Sequence, residues 1–246
     1  MGKGTRLDQA LVQRQLFPTR HQAQAAVMAG QIQVNGQVVS KASAIVHDDS
    51  EISVTSPSGY VGRGGNKLEG ALKDFQIDCT DKLALDIGAS TGGFTDCLLQ
   101  FGARKVYAVD VGHGQLAWKI RQDPRVVVID RMNARRLSSR EIPEPIDLCT
   151  IDVSFISLTL ILPNALELLT PNGVMLALIK PQFELDRADV GRGGIVRDAA
   201  LHQKAQDKIR DFAQRLGVLV EGVRPSVITG GDGNQEFFIC LRKVSA

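Results

Sequence analysis

The chain has 246 residues and a formal net charge of +2, from 29 Lys and Arg residues against 27 Asp and Glu residues. This ordinary composition is too weakly basic to indicate a nucleic-acid partner by itself. No apolar run approaches the roughly 20 residues that a membrane helix needs, and the first residues lack an apolar signal core. The scattered cysteines favour reduced structural thiols, so we expect a cytoplasmic protein. We predict no metal site.

Residues 1–56 are predicted to form a small α+β domain. An apolar stripe of helical period predicts a first helix and consists of Leu7, Ala10, Leu11 and Leu16. Thr19 is the predicted N-cap of a second helix over 20–29, which Gly30 ends. The dipeptide Asn35-Gly36 between two short alternating segments predicts a tight hairpin turn.

The same segment resembles the small αL RNA-binding fold of a ribosomal small-subunit protein. The matching runs are Arg6-Leu7-Asp8, Thr19-Arg20-His21-Gln22-Ala23 and Ala29-Gly30-Gln31-Ile32-Gln33-Val34-Asn35-Gly36. In that fold the second helix and the following turn contact RNA phosphates, which supply most of the affinity. The resemblance implies that the RNA-binding residues are Arg6, Arg14, Arg20 and Lys41. Charge alone would equally describe a solvated helix face.

Residues 57–66 are predicted to be a linker to a second domain over 67–246. Ser56-Pro57-Ser58-Gly59 is rich in turn formers, and the glycines between Tyr60 and Leu68 predict a loop. With Arg63 as an RNA-binding candidate, this loop would cradle phosphate or serve as a flexible entry. A helix is predicted after it, over 69–75.

From residue 83 onward the chain alternates between strand and helix patterns. Strands are predicted over 83–87, 105–110, 126–130, 147–153, 174–180, 218–224 and 236–242. Helices are predicted over 93–101, 114–121, 158–169 and 198–216, the last capped by Asp198 and ended by Gly217. Such alternation indicates an α/β fold with a mainly parallel sheet, and its last two strands would form an antiparallel hairpin.

The glycine-rich turn after the first of these strands has three interpretations. Gly88-Ala89-Ser90-Thr91-Gly92 matches the G-x-S-x-G nucleophile elbow, but an elbow normally follows several strands of its sheet. A dinucleotide site is the second interpretation, although the spacing is not G-x-G-x-x-G. The third is an S-adenosylmethionine site, with Asp110 at the end of the next strand accepting from both ribose hydroxyls. This third interpretation is favoured. Its cofactor-binding candidates are Asp86, Gly88, Ala89, Ser90, Thr91, Gly92, Gly93, Phe94, Asp110, Asn133 and Asp152.

Four polar residues stand where an open α/β sheet delivers its strand ends to one cleft. Lys67 precedes the first strand, Asp152 and Lys180 end the fourth and fifth, and Glu236 opens the last. An antiparallel last strand would bring Glu236 to the same edge as the other three. Surface ion pairs at strand ends are the alternative.

With these residues the sequence resembles the TlyA (hemolysin-A-like) family of rRNA 2′-O-methyltransferases over nearly the whole chain. The runs that carry the resemblance are Arg63-Gly64-Gly65-Asn66-Lys67-Leu68, 86–96, 152–158, 180–184 and 191–198. The family implies a Rossmann-like, seven-stranded methyltransferase sheet of FtsJ/RrmJ type behind an RNA-binding domain, with ribosomal RNA as the partner. Its Lys-Asp-Lys-Glu catalytic tetrad corresponds to Lys67, Asp152, Lys180 and Glu236.

The ribose 2′-hydroxyl must lose its proton as the methyl group arrives. Lys180 would activate or orient this hydroxyl beside Asp152, either as a base or as a charged group that stabilises the developing alkoxide. The glycine-rich stretch 183–198 would be a mobile basic loop that contacts RNA through Arg187 and Arg192, or an ordinary surface loop.

Two other functions compete with methyl transfer to a cytidine ribose. A membrane-active cytolysin is suggested by the older family name, but no membrane-inserting segment is evident. A ribosome-binding factor without activity is the other, and an intact tetrad argues against it.

Overall fold

The computed structural model describes residues 4–28, 30–54, 59–230 and 233–244. The chain divides into two compact units, Met1–Arg63 and Gly64–Ala246. None of the helices within the described ranges combines the length and the hydrophobicity that a membrane span requires.

The first unit is a pair of helices with short strands. Its elements are β1 (Thr5–Arg6), α1 (Leu7–Gln13), α2 (Arg20–Met28), β2 (Ile32–Val34), β3 (Gln37–Val38), β4 (Ile45–Val46) and β5 (Ile52–Val54). β2 pairs with β3 and β5, and β1 pairs with β4, all antiparallel. Asn35 and Gly36 both take positive φ, which confirms the predicted hairpin turn.

The apolar faces of α1 and α2 form the core of this unit, as their helical period predicts. Leu7, Leu11, Val27 and Ile32 are fully buried there. The prediction for Leu16 is wrong, because α1 ends at Gln13 and the Leu16 side chain is 39% exposed. Gln15 takes a φ of 59° and ends the helix, with Leu16 N–H donating to the Leu11 carbonyl at 2.9 Å.

The second unit contains a large sheet, which we call the central sheet, and helices. Its helices are α3 (Gly64–Asp74), α4 (Gly93–Gln100), α5 (Trp118–Arg121), α6 (Leu162–Glu167), α7 (Pro181–Glu184) and α8 (Ala199–Arg215). Its strands are β6 (Leu83–Ile87), β7 (Lys105–Val109), β8 (Val126–Ile129), β9 (Ile146–Ile151), β10 (Leu169–Ile179), β11 (Leu219–Pro225) and β12 (Phe237–Arg242).

Among the described residues the central sheet has seven strands in the order β11-β12-β10-β9-β6-β7-β8. The strands from β10 to β8 are parallel, whereas β12 runs antiparallel to β10 and to β11. This confirms the predicted α/β class and the predicted terminal hairpin. The chain order reverses between β6 and β9, and ligands of open α/β sheets bind at such a point, beyond the carboxyl ends of the strands.

Some helices differ from their predicted bounds for identifiable reasons. The predicted glycine loop over 60–68 is wrong in its second half, because α3 already begins at Gly64. A Cβ at Gly64 would lie 3.1 Å from the Phe94 ring, so glycine allows α3 to pack closely on α4. The helix predicted over 114–121 is limited to α5, since Gly114 has a φ of +66°. The helix predicted over 158–169 is a 3₁₀ turn, Leu158–Leu160, followed by α6.

Candidate active site

The glycine turn between β6 and α4 brings the backbone of two strand ends into contact. Gly88 has a φ of +88°, and a Cβ there would lie 2.2 Å from the Asp152 carbonyl oxygen. Gly92 has a φ of +96° and is the N-cap residue of α4. Both positions therefore require glycine, for the close approach and for the left-handed conformation.

A cleft of about 460 Å³ opens beside this turn at the carboxyl edge of the central sheet. The sequence-predicted residues that line it are Gly88, Ser90, Asp110, Asn133 and Asp152. A smaller cavity of about 120 Å³ adjoins Gly88 and Asp152 and is also lined by Ala89, Thr91, Gly93 and Phe94. Most of the predicted cofactor residues therefore surround two neighbouring cavities.

Asp110 fixes the geometry of the glycine turn from the end of β7. Its Oδ2 accepts a hydrogen bond from Ser90 N–H at 2.8 Å, and its Oδ1 accepts one from Gly112 N–H at 2.7 Å. Each carboxylate oxygen has a second lone pair, so the group can still accept from a ligand in the cleft.

Asn133 has a comparable double role on the opposite wall of the cleft. Its Oδ1 accepts from Arg135 N–H at 3.0 Å and caps the 3₁₀ turn Ala134–Arg136. This cap holds Met132, Asn133 and Ala134 along the cleft.

Asp86 occupies a different position from the other predicted cofactor residues. Its side chain is fully buried and lines neither cavity, because Thr95 donates to it at 2.7 Å and Thr150 at 3.1 Å. Burial raises the pKa of Asp86 to about 7. The carboxyl group links β6 to α4 and β9, so it holds the two elements that flank the glycine turn.

Two ion pairs join the four residues of the predicted tetrad. Lys67 on α3 donates to Glu236 Oε2 at 2.5 Å, and both side chains are buried. The Nζ of Lys180 lies 2.6 Å from Asp152 Oδ1 and donates to Ser154 Oγ at 3.0 Å. Asp152 Oδ1 is buried and has no hydrogen bond of good geometry, so its contact with Lys180 is electrostatic.

The strand register explains why these residues meet. Phe237 pairs with Ile179 across β12 and β10, so Glu236 and Lys180 are the next residues at the same edge. Asp152 N–H donates to the Ile87 carbonyl at 2.9 Å, which places Asp152 directly after β9 beside the glycine turn. The antiparallel last strand therefore brings Glu236 to this edge as predicted.

The basic candidates of the first unit fall into separate groups. Arg6 and Arg20 both donate to Asp8, a fully buried carboxylate, while remaining 40% and 51% exposed. The Arg6 guanidinium holds the pKa of Asp8 well below its usual range. Lys41 is exposed. The aliphatic part of Arg63 packs where a Cβ of Gly30 would lie.

Arg14 is exposed and also has a structural role in the first unit. Its guanidinium donates to the carbonyls of Ser50 at 2.7 Å, His47 at 3.0 Å and Asp48 at 3.2 Å. These contacts close the turn between β4 and β5, and Arg14 stays a candidate for RNA binding.

The stretch 183–198 is held at several points, contrary to the predicted mobile loop. Val196 N–H donates to Asn234 Oδ1 at 2.9 Å, and Asn234 Nδ2 donates to the Gly194 carbonyl at 2.9 Å. Glu184 is buried and accepts from Leu158 N–H at 2.7 Å. Arg187 is exposed on this segment, whereas the side chain of Arg192 lies outside the described part of the structure.

Sequence reasoning missed two residues next to the tetrad. Ser154 binds Lys180, and Phe155 is 90% exposed with a φ of 65° at the mouth of the cleft. The ring of Phe155 lies 5.0 Å from that of Phe183, centroid to centroid. A large exposed aromatic ring in the left-handed region is uncommon, but its exposure cannot be read from the sequence.

The parallel sheet, the glycine turn and the carboxylate at the end of β7 define a Rossmann-like methyltransferase domain. The chain belongs to the FtsJ-like methyltransferase family, whose model matches residues 60–243, and an S4 domain matches residues 5–52.

Three relatives match the chain over nearly its whole length. The chain is 48% identical to "Putative rRNA methyltransferase YqxC" of Bacillus subtilis, covering 97% of this chain and 86% of that protein. It is 42% identical to "16S/23S rRNA (cytidine-2'-O)-methyltransferase TlyA" of Mycobacterium tuberculosis, covering 98% and 91%. A solved structure titled "Putative hemolysin from Streptococcus thermophilus" superimposes with a TM-score of 0.78 at 42% identity, covering 100% and 90%.

Proposed function

We propose that this protein transfers a methyl group from S-adenosylmethionine to the 2′-hydroxyl of a cytidine ribose in ribosomal RNA. The observation that carries the proposal is the pair of ion pairs, Lys67–Glu236 and Lys180–Asp152, at the edge that holds the glycine turn. The TlyA relative of Mycobacterium tuberculosis supplies the substrate class through its name.

The cleft beside the glycine turn fits S-adenosylmethionine. Its volume of about 460 Å³ is within the range of small-molecule sites, and Gly88 lets the Asp152 backbone pack against the turn that lines it. Asp110 would accept from the ribose hydroxyls of the cofactor, and Asn133 with Met132 would border its base. The cofactor supplies an electrophilic methyl group on a sulfonium.

Lys180 and Asp152 would act on the substrate hydroxyl. The Asp152 carboxylate lies 2.6 Å from Lys180 Nζ and fixes the position of that amine at the edge of the cleft. We assign Lys180 the role of orienting the 2′-oxygen and stabilising the negative charge that would develop on it, while the hydroxyl proton would pass to solvent and the methyl group would leave the sulfonium, which becomes a neutral thioether. Asp152 would hold Lys180 Nζ in that position through the 2.6 Å contact of its Oδ1.

Lys67 and Glu236 would keep this edge of the site in place. Both side chains are buried, so their ion pair fixes α3 against the start of β12. Phe155, exposed at the mouth of the cleft, would stack on the base of the target nucleotide once its ribose has entered.

The S4 domain would deliver the RNA. Arg6 and Arg20 keep exposed guanidinium surface while Asp8 holds them in place, and guanidinium groups suit phosphate recognition. The remaining RNA-binding candidates are Arg14, Lys41, Arg63, Arg187 and Arg192.

The test is incubation with labelled S-adenosylmethionine and unmodified ribosomal subunits, followed by mapping of the labelled nucleotide. We expect a single ribose methylation, lost in Lys180→Ala and retained in Lys82→Ala, an exposed lysine at the opposite edge of the sheet. Absence of methylation on both subunits contradicts the proposal. Leakage of liposomes without cofactor or RNA would instead favour the membrane-active alternative.

A further inference from the structure

Four exposed arginines follow β8 in a segment whose residues 132–134 line the cofactor cleft. The segment 131–140 reads Arg-Met-Asn-Ala-Arg-Arg-Leu-Ser-Ser-Arg and contains no acidic residue. The exposed side chains, which we call the arginine rim, are those of Arg131, Arg135, Arg136 and Arg140. In a chain with a net charge of +2, this segment alone carries +4.

The carboxylates that flank this segment in sequence are committed elsewhere. Asp130 accepts from His113 at 3.1 Å and from Arg121 at 3.3 Å, and Glu141 accepts from the hydroxyl of Ser138 at 2.8 Å. Among the residues that the structure describes, no carboxylate forms an ion pair with an arginine of the rim. The described part of the chain therefore contains no ion pair that neutralises this positive charge.

The backbone beneath the arginine rim is held by hydrogen bonds. Arg131 N–H donates to the Gly112 carbonyl at 2.8 Å, and Arg131 itself has a φ of 58°. Asn133 caps the 3₁₀ turn, and Asn164 Nδ2 donates to the Arg135 carbonyl at 2.6 Å. These contacts fix the positions from which the long side chains project.

The rim also alternates with residues of the cleft. Met132, Asn133 and Ala134 line the cleft between Arg131 and Arg135. A polyanion whose reacting group enters the cleft would therefore have its neighbouring groups beside the arginines. Exposed guanidinium groups without internal partners bind phosphate oxygens in a bidentate manner.

We propose that the arginine rim is a second RNA-binding surface, which binds backbone phosphates next to the target nucleotide independently of base sequence. The inference rests on the proposed function for the identity of the polyanion. It adds a contact surface on the methyltransferase domain itself, separate from the S4 domain and from the segment with Arg187.

The test compares two double variants of the full-length protein with the same change of charge. Arg135→Gln with Arg136→Gln removes two rim charges. Lys82→Gln with Arg104→Gln is the matched control, since both residues are exposed and precede β6 and β7 at the opposite edge of the sheet. The two residues are neighbours, because Arg104 N–H donates to the Lys82 carbonyl at 3.0 Å. Binding to an unmodified ribosomal RNA transcript is measured by filter retention at several salt concentrations.

We expect the rim variant to bind at least about tenfold more weakly at low salt, with a salt slope smaller by about 1 to 2, because each lost phosphate contact removes about 0.9 of slope. The control variant should match the wild type. The proposal is overturned if both variants lose RNA affinity equally. It is also overturned if the rim variant binds RNA more weakly but with the same salt slope as the wild type. Calorimetric binding of S-adenosylmethionine checks that the rim variant is folded. If the wild type binds RNA but methylates none, the proposed function fails. The salt slopes of RNA binding in the rim and control variants still test the arginine rim in that case.

Discussion

Lys67 Nζ and Glu236 Oε2 lie 2.5 Å apart although 169 residues separate them in the chain. Both side chains are buried, so each is the counter-ion that makes burial of the other tolerable. The space around Glu236 is equally confined, since a Cβ at Gly230 would lie 2.5 Å from Glu236 Oε1.

Removing one partner of this pair should destabilise the methyltransferase domain. Glu236→Ala leaves a buried ammonium group without its counter-ion, a change that typically costs about 3–5 kcal/mol. The double variant Lys67→Met with Glu236→Leu should recover most of that loss, while methylation stays absent in both. Calorimetry identifies the relevant transition as the one that S-adenosylmethionine shifts upward. If the double variant is no more stable than Glu236→Ala, the unpaired charge of Lys67 is not the cause of the destabilisation.

Substitutions of Lys180 and Ser154 should lower the methylation rate without changing the affinity for S-adenosylmethionine. Lys180→Met removes the charge beside the substrate oxygen and should lower the single-turnover methylation rate by about 10²–10⁴-fold. Ser154→Ala removes only the acceptor that orients Lys180 Nζ, so we expect a smaller loss, largely restored by Ser154→Thr. Quench-flow of labelled product measures the rate, and calorimetric affinity for S-adenosylmethionine should stay unchanged. An unaltered rate in Lys180→Met would remove Lys180 from the mechanism.

Gly88 and Gly114 test the close approach at the glycine turn. Both have positive φ, but an added Cβ meets the Asp152 carbonyl at Gly88 and nothing within 4 Å at Gly114. Gly114→Ala should therefore cost only the conformational strain of about 1–2 kcal/mol. Gly88→Ala should cost more and should abolish binding of S-adenosylmethionine. Thermal unfolding measures the stability of both variants, and calorimetry measures their affinity for S-adenosylmethionine. Equal effects of the two substitutions would mean that backbone strain alone, without the close approach to Asp152, explains the losses.

Asp86→Asn should change how stability depends on pH. The pKa of Asp86 is raised from 3.8 to about 7 by burial, so between pH 4 and 7 the folded state keeps a proton that the unfolded state has lost. The free energy of unfolding of the wild type therefore falls as the pH rises through that window. Above pH 7 the full penalty for burying the ionised Asp86 carboxylate is present. Relative to the wild type, the variant should gain up to about 4 kcal/mol between pH 4 and pH 8. Parallel pH profiles from urea unfolding would contradict the buried, protonated carboxyl.

Arg14 and Lys41 should have opposite phenotypes in the S4 domain. Arg14→Gln removes the donors that hold the carbonyls of residues 47, 48 and 50, so hydrogen exchange in that turn should accelerate. Lys41→Gln removes an exposed charge and should weaken RNA binding with little change in exchange. Weaker RNA binding in Arg14→Gln without faster hydrogen exchange in the turn would show that Arg14 contacts RNA directly.

Much of the fold was accessible from local patterns. The apolar run of β6, the glycines after it and the Asp198 cap of α8 each depend on residues close in sequence. Capping, turn chemistry and strand composition act over a few residues, so their prediction needs no knowledge of the rest of the chain.

The errors share a physical cause. The start of α3 at Gly64 depends on packing against Phe94, and the ordering of the stretch 183–198 depends on Asn234. Both are contacts between distant segments, which override local propensity. The contacts of Arg14 with the carbonyls of residues 47, 48 and 50 are likewise long-range and could not be predicted locally.

The sequence by itself determined the family, the α/β alternation, the glycine turn and the identities of the four charged residues at the strand ends. Only the tertiary structure decided which of those four pair directly, because Lys67 on α3 meets Glu236 while Lys180 after β10 meets Asp152. It also decided which charges are neutralised, since Asp8 holds Arg6 and Arg20 while the arginines after β8 face solvent unpaired within the described chain. Exposure and pairing are properties of three-dimensional neighbours, and the order of residues does not specify them.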